Sequence, residues 1–595
     1  MKQLLMGNEA IAKGAILAGV NLVAGYPGTP STEVLETVAK NNDGSIYVEW
    51  SVNEKAALEV AAGAAYAGAR TMVTMKQVGL NVASDPLMCL AYIGVKGGMV
   101  VVVADDPGPI SSQTEQDTRK FAEYSKLPVF DPSSPEEAFA MIQEAFAYSE
   151  RYGTPVLFRP TTRVCHACAT IDVPEEKPVH TFEGFVKDVS KWVIFPRLAR
   201  ANHEKIELRN REIAKEANPF NAVWGSGKRG IAAGGVSVSY VKEALLDVEK
   251  EVKVLKVGMP HPFPEALAAD FLEGLDEVLV VEELDPVIEK NLIYLCGKYN
   301  KKVTILGKGT GTMPCAGEYT NEMVAEAISA YLGLSREQAA PTEAPVLPVR
   351  PPVLCAGCPH RASFYAVKQA MKGRKAFFCG DIGCYTLGNA KPLDMVDTCL
   401  CMGADVTIAQ GLKRTEPDAA AFSFIGDSTF FASGMTGVVN AVYNQTDIVL
   451  IVLDNSTTAM TGHQPHPGTG VTMMGDIVGK ISIEKILSAI GVTSVETVNP
   501  LDLEASVAAV KKAADLPGVK AVIFKSPCIA VVKPQQACVI AEEKCINCKK
   551  CIRELGCPAI VVQDGKVTIE ASMCTGCGLC SQVCPVAAIE GGQHE

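Results

Sequence analysis

The sequence has no uninterrupted apolar run near the ~18 residues that a membrane-spanning helix needs, so no spanning helix is expected. It has no excess of positive charge. Its 67 acidic residues outnumber 55 basic ones, for a formal net charge of −12. That balance argues against a nucleic-acid or anionic-membrane surface. Met1 to Gly14 carries Glu9 and lacks the long apolar core and cleavage site of a secretion signal, so the chain is expected in the cytoplasm. Low-complexity segments are missing, and the only short repeat is a pair of cysteine motifs at the C-terminal end. The bulk composition is ordinary: 595 residues, 48% hydrophobic and 21% charged. A chain of that size can bury a large core. At ~150 residues per domain it should form three to five domains.

Cysteine is the abundant exception. There are 21, and eight lie between Cys545 and Cys584. Without a secretion signal, C-x-x-C spacing points to thiols kept reduced for metal rather than to a disulfide framework.

Strand-length apolar runs at Leu22-Val23-Ala24, Ile46-Tyr47-Val48, Thr71-Met72-Val73 and Val100 to Val103 alternate with helical stretches such as Glu54 to Tyr66. This alternation predicts a parallel sheet covered by helices. The Gly- and Pro-rich Gly25 to Pro30 follows a strand, where such folds keep ligand sites. A charged connection runs from Lys177 to about Lys228, with an exposed helix expected over His203 to Glu216. Four further strands are expected at Gly230 to Ala233, Val252 to Val257, Val278 to Val281 and Val303 to Leu306. Ser335 to Pro352 is a Pro- and Ala-rich linker. Another α/β unit follows, with core strands at Phe422 to Ile425 and Ile448 to Leu453. The chain is compact and Cys-rich from Gln536 onward.

The first tail motif is Cys545-x2-Cys548-x2-Cys551-x5-Cys557-Pro558, and the second is Cys574-x2-Cys577-x2-Cys580-x3-Cys584-Pro585. Three thiolates from one tight loop can cap three irons of a cubane, and the distant cysteine of the other motif reaches the fourth. One [4Fe–4S] cluster is therefore expected on Cys545, Cys548, Cys551 and Cys584. The other is expected on Cys574, Cys577, Cys580 and Cys557. This is a bacterial two-cluster ferredoxin pattern, with zinc or disulfides as the alternatives. The first motif has five residues before its last cysteine instead of three, which loosens the placement of Cys557. Clusters of this kind move single electrons, so the rest of the chain should hold an electron source.

Ile425-Gly426-Asp427-Ser428 follows a strand, and Asn455 ends the next strand 28 positions after Asp427, with a helix over about Ser433 to Asn444 between. Two oxygen ligands at two strand ends suit a hard divalent cation bridging to phosphates. Gly426 would let the backbone approach a phosphate closely. A structural cap at Asp427 is the alternative. The layout resembles the thiamine diphosphate motif, with Ser428 in place of that motif's second glycine. That resemblance implies Mg²⁺ held by Asp427, Asn455 and the Thr457 carbonyl.

The whole chain resembles the thiamine diphosphate-dependent 2-oxoacid:ferredoxin oxidoreductases. The match is most specific at Gly25 to Ser31, at Cys355-Ala356-Gly357-Cys358-Pro359-His360-Arg361 and at Asp454 to Gln464. The resemblance implies doubly wound α/β domains that bind thiamine diphosphate, plus a small ferredoxin-like α+β domain. Residues 1–175 would be the pyrimidine-type domain with a substrate loop. Residues 190–335 would be a smaller α/β domain like the C-terminal one of transketolases. Residues 350–535 would bind diphosphate and Mg²⁺, and residues 536–595 would carry two [4Fe–4S] clusters. Thr29 would contact the 2-oxoacid. Glu54 would face the aminopyrimidine, with Glu49 and Glu59 as alternatives. Such a Glu must be buried to work, which raises its pKa. The cofactor is thus expected between two domains, with Gly403 adding a backbone contact to the diphosphate. His463 beside the cofactor would shuttle protons or satisfy a buried hydrogen bond.

In relatives with a cluster next to thiamine, the ligands match Cys355, Cys358, Cys384 and Cys528, with Cys379 and Cys401 as nearby competitors. Reduced structural thiols or zinc are the alternatives. Three further signals carry little. Cys165-His166-Ala167-Cys168 lacks a second pair, Gly225-Ser226-Gly227-Lys228 lacks Walker spacing, and Gly307 to Gly311 reads as a loop.

The resemblance implies oxidative decarboxylation of aryl 2-oxoacids such as indolepyruvate, with coenzyme A, to an aryl-acetyl-CoA and CO₂. Electrons would pass through the clusters to a separate ferredoxin. A smaller β subunit of about 200 residues would supply a domain this chain lacks, in an αβ or (αβ)₂ complex. A non-oxidative thiamine decarboxylase, an oxidoreductase for another 2-oxoacid and a non-catalytic electron-transfer subunit are the rival expectations.

Overall fold

The computed structural model describes all residues except 176–177, 217, 247, 249–250, 335–344 and 593–595. It divides into two compact units, Met1–Thr342 and Glu343–Glu595. The four segments expected from the sequence fall two by two into these units.

The first unit holds two main sheets. One has six parallel strands in the order Tyr47–Trp50, Leu22–Gly25, Thr71–Lys76, Met99–Ala104, Val156–Phe158, Val129–Phe130. Met99–Ala104 reads MVVVVA and is buried along its whole length. Such a run suits a strand covered by helices on both faces. The helix Glu54–Tyr66 spans the predicted residues and is capped by Asn53, whose side chain accepts from the Ala56 amide at 2.9 Å.

The second sheet has five strands, one more than expected. Thr304–Leu306, Glu277–Val281, Arg229–Gly234 and Lys253–Val257 are parallel, and Ala222–Gly225 adds an antiparallel edge. The edge strand lies inside the stretch read as a charged connection. Four residues on a sheet edge leave too short a period-2 pattern to stand out. The Gly225–Lys228 segment is thus the end of this strand and the turn after it. The exposed helix expected from His203 spans Pro196–Ile213. It starts at a proline, whose fixed φ suits a first helical turn, and buries only Ile206 and Ile213. Lys177 and the first ten residues of the expected linker lie outside the described residues, and residues 345–354 form no regular element.

The second unit is built on six parallel strands in the order Thr398–Cys399, Ala376–Gly380, Ala420–Gly426, Ile448–Asp454, Val519–Lys525, Ser494–Val498. The predicted helix after Asp427 begins with a π-turn at Phe430–Gly434 and continues as Met435–Tyr443. The Cys-rich tail adds two small antiparallel pairs, Val539–Ile540 with Ile589–Glu590 and Ile560–Gln563 with Lys566–Ile569. Its Leu555, Val567, Leu579 and Val583 share one apolar core with Phe364 and Phe424 of the sheet domain.

Arg361, 4% exposed, pins this junction. Its guanidinium donates to the carbonyls of Leu555 at 2.6 Å, Gly556 at 2.9 Å and Leu354 at 2.5 Å. Charge-assisted bonds of this kind each contribute about 1.5–3 kcal/mol. Arg361→Met should keep the packing of the side-chain stem and lose about 3 kcal/mol of stability. Calorimetric unfolding under argon checks this, and an unchanged midpoint would remove Arg361 from the junction.

Candidate active site

The first unit gathers its candidate residues where strands end, the end of a parallel sheet at which ligands bind. Glu54 starts the helix Glu54–Tyr66. Its residue surface is half-buried, but its carboxyl group is enclosed, and desolvation pushes its pKa up to about 7. The enclosure depends on Gly79: a Cβ there would stand 2.5 Å from Glu54 Oε1. The two alternatives lack this setting. Glu49 accepts from Ser51 Oγ at 2.5 Å and Tyr47 Oη at 2.9 Å, and Glu59 is exposed and ion-paired to Lys55.

Thr29 lies in the Gly25–Pro30 loop, where its carbonyl accepts from Ser111 Oγ at 3.1 Å. Lys76, which the sequence reasoning missed, joins the two features. It ends the strand Thr71–Lys76, and its Nζ donates to the Ser111 carbonyl at 3.0 Å. Its stem packs on Gly28, whose added Cβ would lie 3.1 Å from Lys76 Cδ. Desolvation lowers its pKa, partly opposed by the fields of Asp106 and Glu54. A charged residue closing an otherwise uncharged strand was the available signal.

In the second unit, strands Ala420–Gly426 and Ile448–Asp454 run side by side, so the two ends of the Asp–Asn motif meet. Asp427 is buried. Its Oδ1 accepts from the Ser428 amide at 2.9 Å and its Oδ2 from the Ser456 amide at 2.8 Å. Burial raises its pKa, and His466 opposes that shift with Nε2 3.1 Å from Oδ2. Asn455 Oδ1 accepts from the Thr457 amide at 3.3 Å. Its Nδ2 faces His360 Nε2 at 3.3 Å, and burial pushes His360 down to about 4. A neutral His360 can accept from that amide. Ser428 Oγ accepts from Thr458 Oγ1 at 3.0 Å, so the serine that replaces glycine links the two strand ends.

Three further expected residues are placed as follows. His463 is exposed, with φ +66°, and the histidine brought to Asp427 is His466. Gly403 caps the helix Ala404–Thr415 with φ +79°, but its amide already donates to Asp381 at 2.9 Å. Gly426 is crowded by Tyr385: an added Cβ would lie 2.5 Å from the phenol oxygen.

The tail thiols line two cavities. One is walled by Cys545, Cys548, Cys551 and Cys584. The other is walled by Cys557, Cys574, Cys577 and Cys580, together with Cys538, Cys358 and Arg361. Among the described residues, no three His, Cys, Asp or Glu side chains close around one point as a single ion would require. Cys384 faces both Cys355 and Cys528 electrostatically, and Cys358 faces Cys355. The Cys528 amide donates to the Asn455 carbonyl at 2.9 Å, which ties this set to the Asp427–Asn455 motif. Cys379 is fully buried in the sheet core, and Cys401 is exposed. Of the discounted pair, Cys165 is buried and Cys168 exposed.

Family models agree with this layout. Residues 13–200 match the pyruvate flavodoxin/ferredoxin oxidoreductase thiamine diphosphate-binding domain. Residues 381–524 match the C-terminal TPP-binding domain of thiamine pyrophosphate enzymes, and residues 567–590 match a 4Fe–4S binding domain. The fold and its domains are those of a thiamine-dependent, iron–sulfur oxidoreductase. The chain is 43% identical to the indolepyruvate oxidoreductase subunit IorA of Methanothermobacter thermautotrophicus, over 99% of this chain and 97% of that one. It is 42% identical to the subunit of that name from Thermococcus kodakarensis, over 99% and 96%. A solved 2-oxoglutarate:ferredoxin oxidoreductase from Magnetococcus marinus matches at 19% identity and TM-score 0.45, over 55% of this chain and 65% of that chain. The chain belongs to the indolepyruvate oxidoreductase IorA family. No helix among the described residues is long and apolar enough to cross a membrane.

Proposed function

We propose that the chain catalyses oxidative decarboxylation of aryl 2-oxoacids such as indolepyruvate. A 2-oxoacid and coenzyme A give an acyl-CoA, CO₂, two protons and two electrons, and the electrons leave one at a time to ferredoxin. A smaller β subunit of about 200 residues would complete the enzyme, as an αβ or (αβ)₂ complex. One observation carries the reading: the Cys528 amide is bonded to the Asn455 carbonyl, so a set of four thiols adjoins the cation-and-diphosphate motif. An electron acceptor beside the cofactor is what an oxidative reaction needs and a non-oxidative one does not.

The residues fit the absent groups. The Asp427 carboxylate and the Asn455 amide oxygen are hard donors suited to Mg²⁺, with the Thr457 carbonyl beside them. Bound thiamine diphosphate supplies the carbanion chemistry at the substrate ketone. Glu54, in its enclosed site, would hold and exchange a proton with the aminopyrimidine of the cofactor. Thr29 orients the 2-oxoacid, and Lys76 provides positive charge beside it. Cys355, Cys358, Cys384 and Cys528 would hold a third [4Fe–4S] cluster, adding to the two in the tail.

The test is purification with the partner subunit under argon. About twelve irons per chain are expected with three cubanes and about eight with two. Cys384→Ser should lose about four of them. The complex should reduce viologen with indolepyruvate and coenzyme A. Equal rates with pyruvate would sink the aryl specificity. Aldehyde as sole product, with viologen left oxidised, would sink the oxidative reaction.

A further inference from the structure

Cys538 belongs to neither tail motif, yet it sits in the second tail cavity. Its side chain is 3% exposed and lines that cavity with Cys557, Cys574, Cys577 and Cys580. Its backbone amide donates to Cys574 Sγ at 3.4 Å. Its thiol lines the cavity beside the Cys580 thiol, and the two perturb each other's proton affinity. Six thiols line this space, and with Cys358 belonging to the Cys355 set, five remain for a cubane that binds four.

The motif spacing shows which is the extra one. Cys574, Cys577 and Cys580 stand at the spacing that caps three irons, and Cys557 is the distant cysteine of the other motif. Cys580 belongs to the C-x-x-C-x-x-C loop, so Cys538 is the fifth thiol. Its S–H can donate to the Gly591 carbonyl, 3.6 Å from Sγ, or to Cys580. Once ligated, the anionic Cys580 sulfur is the stronger acceptor. The cavity of Cys545, Cys548, Cys551 and Cys584 has no fifth cysteine among its lining residues, and an amide from Ala588 reaches Cys584 Sγ at 3.3 Å.

We propose that Cys538 is a hydrogen-bond donor to the second tail cluster, acting through the sulfurs of Cys574 and Cys580, and that its thiol raises the reduction potential of that cluster alone. Hydrogen bonds to ligand sulfurs draw charge away from the irons and so favour the reduced, more negative state. Cys538 is a positioning residue, and the inference rests on Cys557, Cys574, Cys577 and Cys580 being the ligands.

The experiment is a dye-mediated potentiometric titration, read by electron paramagnetic resonance, on the complex purified under argon. In Cys538→Ala the iron content should stay at the parent value. One tail-cluster signal should move to lower potential while the other stays fixed. Cys538→Ser keeps a hydroxyl donor and should recover part of the shift. Unmoved potentials in the alanine variant would overturn the proposal, as would loss of about four irons from it. Cys557→Ala separates the two readings. Loss of about four irons there upholds the ligand set, and full iron shows the ligand set itself to be wrong.

Discussion

Asp427→Ala is expected to lower 2-oxoacid oxidation by about 10³-fold, the scale of losing a bound metal ion's electrostatic contribution, while all the iron stays in place. The buried Asp427 carboxylate bridges the two strand ends through the Ser428 and Ser456 amides. On the proposed reading, a divalent cation would lose an anionic protein ligand, and the diphosphate its counter-charge. The measurement pairs an anaerobic viologen assay with calorimetric binding of thiamine diphosphate in the presence of Mg²⁺. Parent-like cofactor affinity would remove Asp427 from the site. Parent-like activity would support a chain that only carries electrons. Asp427→Asn preserves shape and hydrogen-bond acceptance at one oxygen, so it should fold like the parent and still bind poorly.

Glu54→Gln should cost between about 10²- and 10⁴-fold in turnover, the usual scale for a general acid–base group. The pH dependence sharpens the test. With its pKa at about 7, Glu54 is protonated below neutrality and ionised above it. A rate that needs the proton on Glu54 should fall as pH rises through about 7, and the glutamine variant should lose that limb of the profile. Stability follows the same sign. The folded state holds the proton more tightly than an unfolded chain with an ordinary carboxylate, so this group's contribution is present at low pH. It fades as pH rises from about 4.5 to about 7. Glu54→Gln should therefore unfold at a higher temperature than the parent at pH 8. A lower unfolding temperature at that pH would contradict the enclosure of this carboxyl.

Much of this was legible in the chain itself, for physical reasons that differ by element. The cysteine sets were readable because a tight loop can present three thiols at only a few spacings. The Asp427–Asn455 pairing was readable because adjacent parallel strands carry consecutive C-terminal ends to one edge. The strand Ala222–Gly225 was not, since a short edge strand has little pattern of its own. His466 rather than His463 reaches Asp427 because both lie on an irregular loop, where no period says which side chain turns inward. The surroundings of Gly403 and Gly426 were not readable either: the Gly403 amide donates to Asp381, and Tyr385 packs against Gly426. Lys76 and His360 acquire their settings from partners that only the folded sheet brings near.

Arg361 also bears on how the chain is made. During synthesis the N-terminal parts emerge first, and domains fold as units. The helix Pro359–Ala370 leaves the ribosome almost two hundred residues before the Leu555 and Gly556 carbonyls that Arg361 requires. Until the tail arrives, that guanidinium has only Leu354 and Cys355 to meet it inside the junction. The junction is thus unfavourable to close early, and the apolar core it seals stays incomplete. A nascent chain arrested before residue 550 should remain protease-sensitive around Leu354 to Arg361, and cluster insertion becomes a late event that completes the second unit.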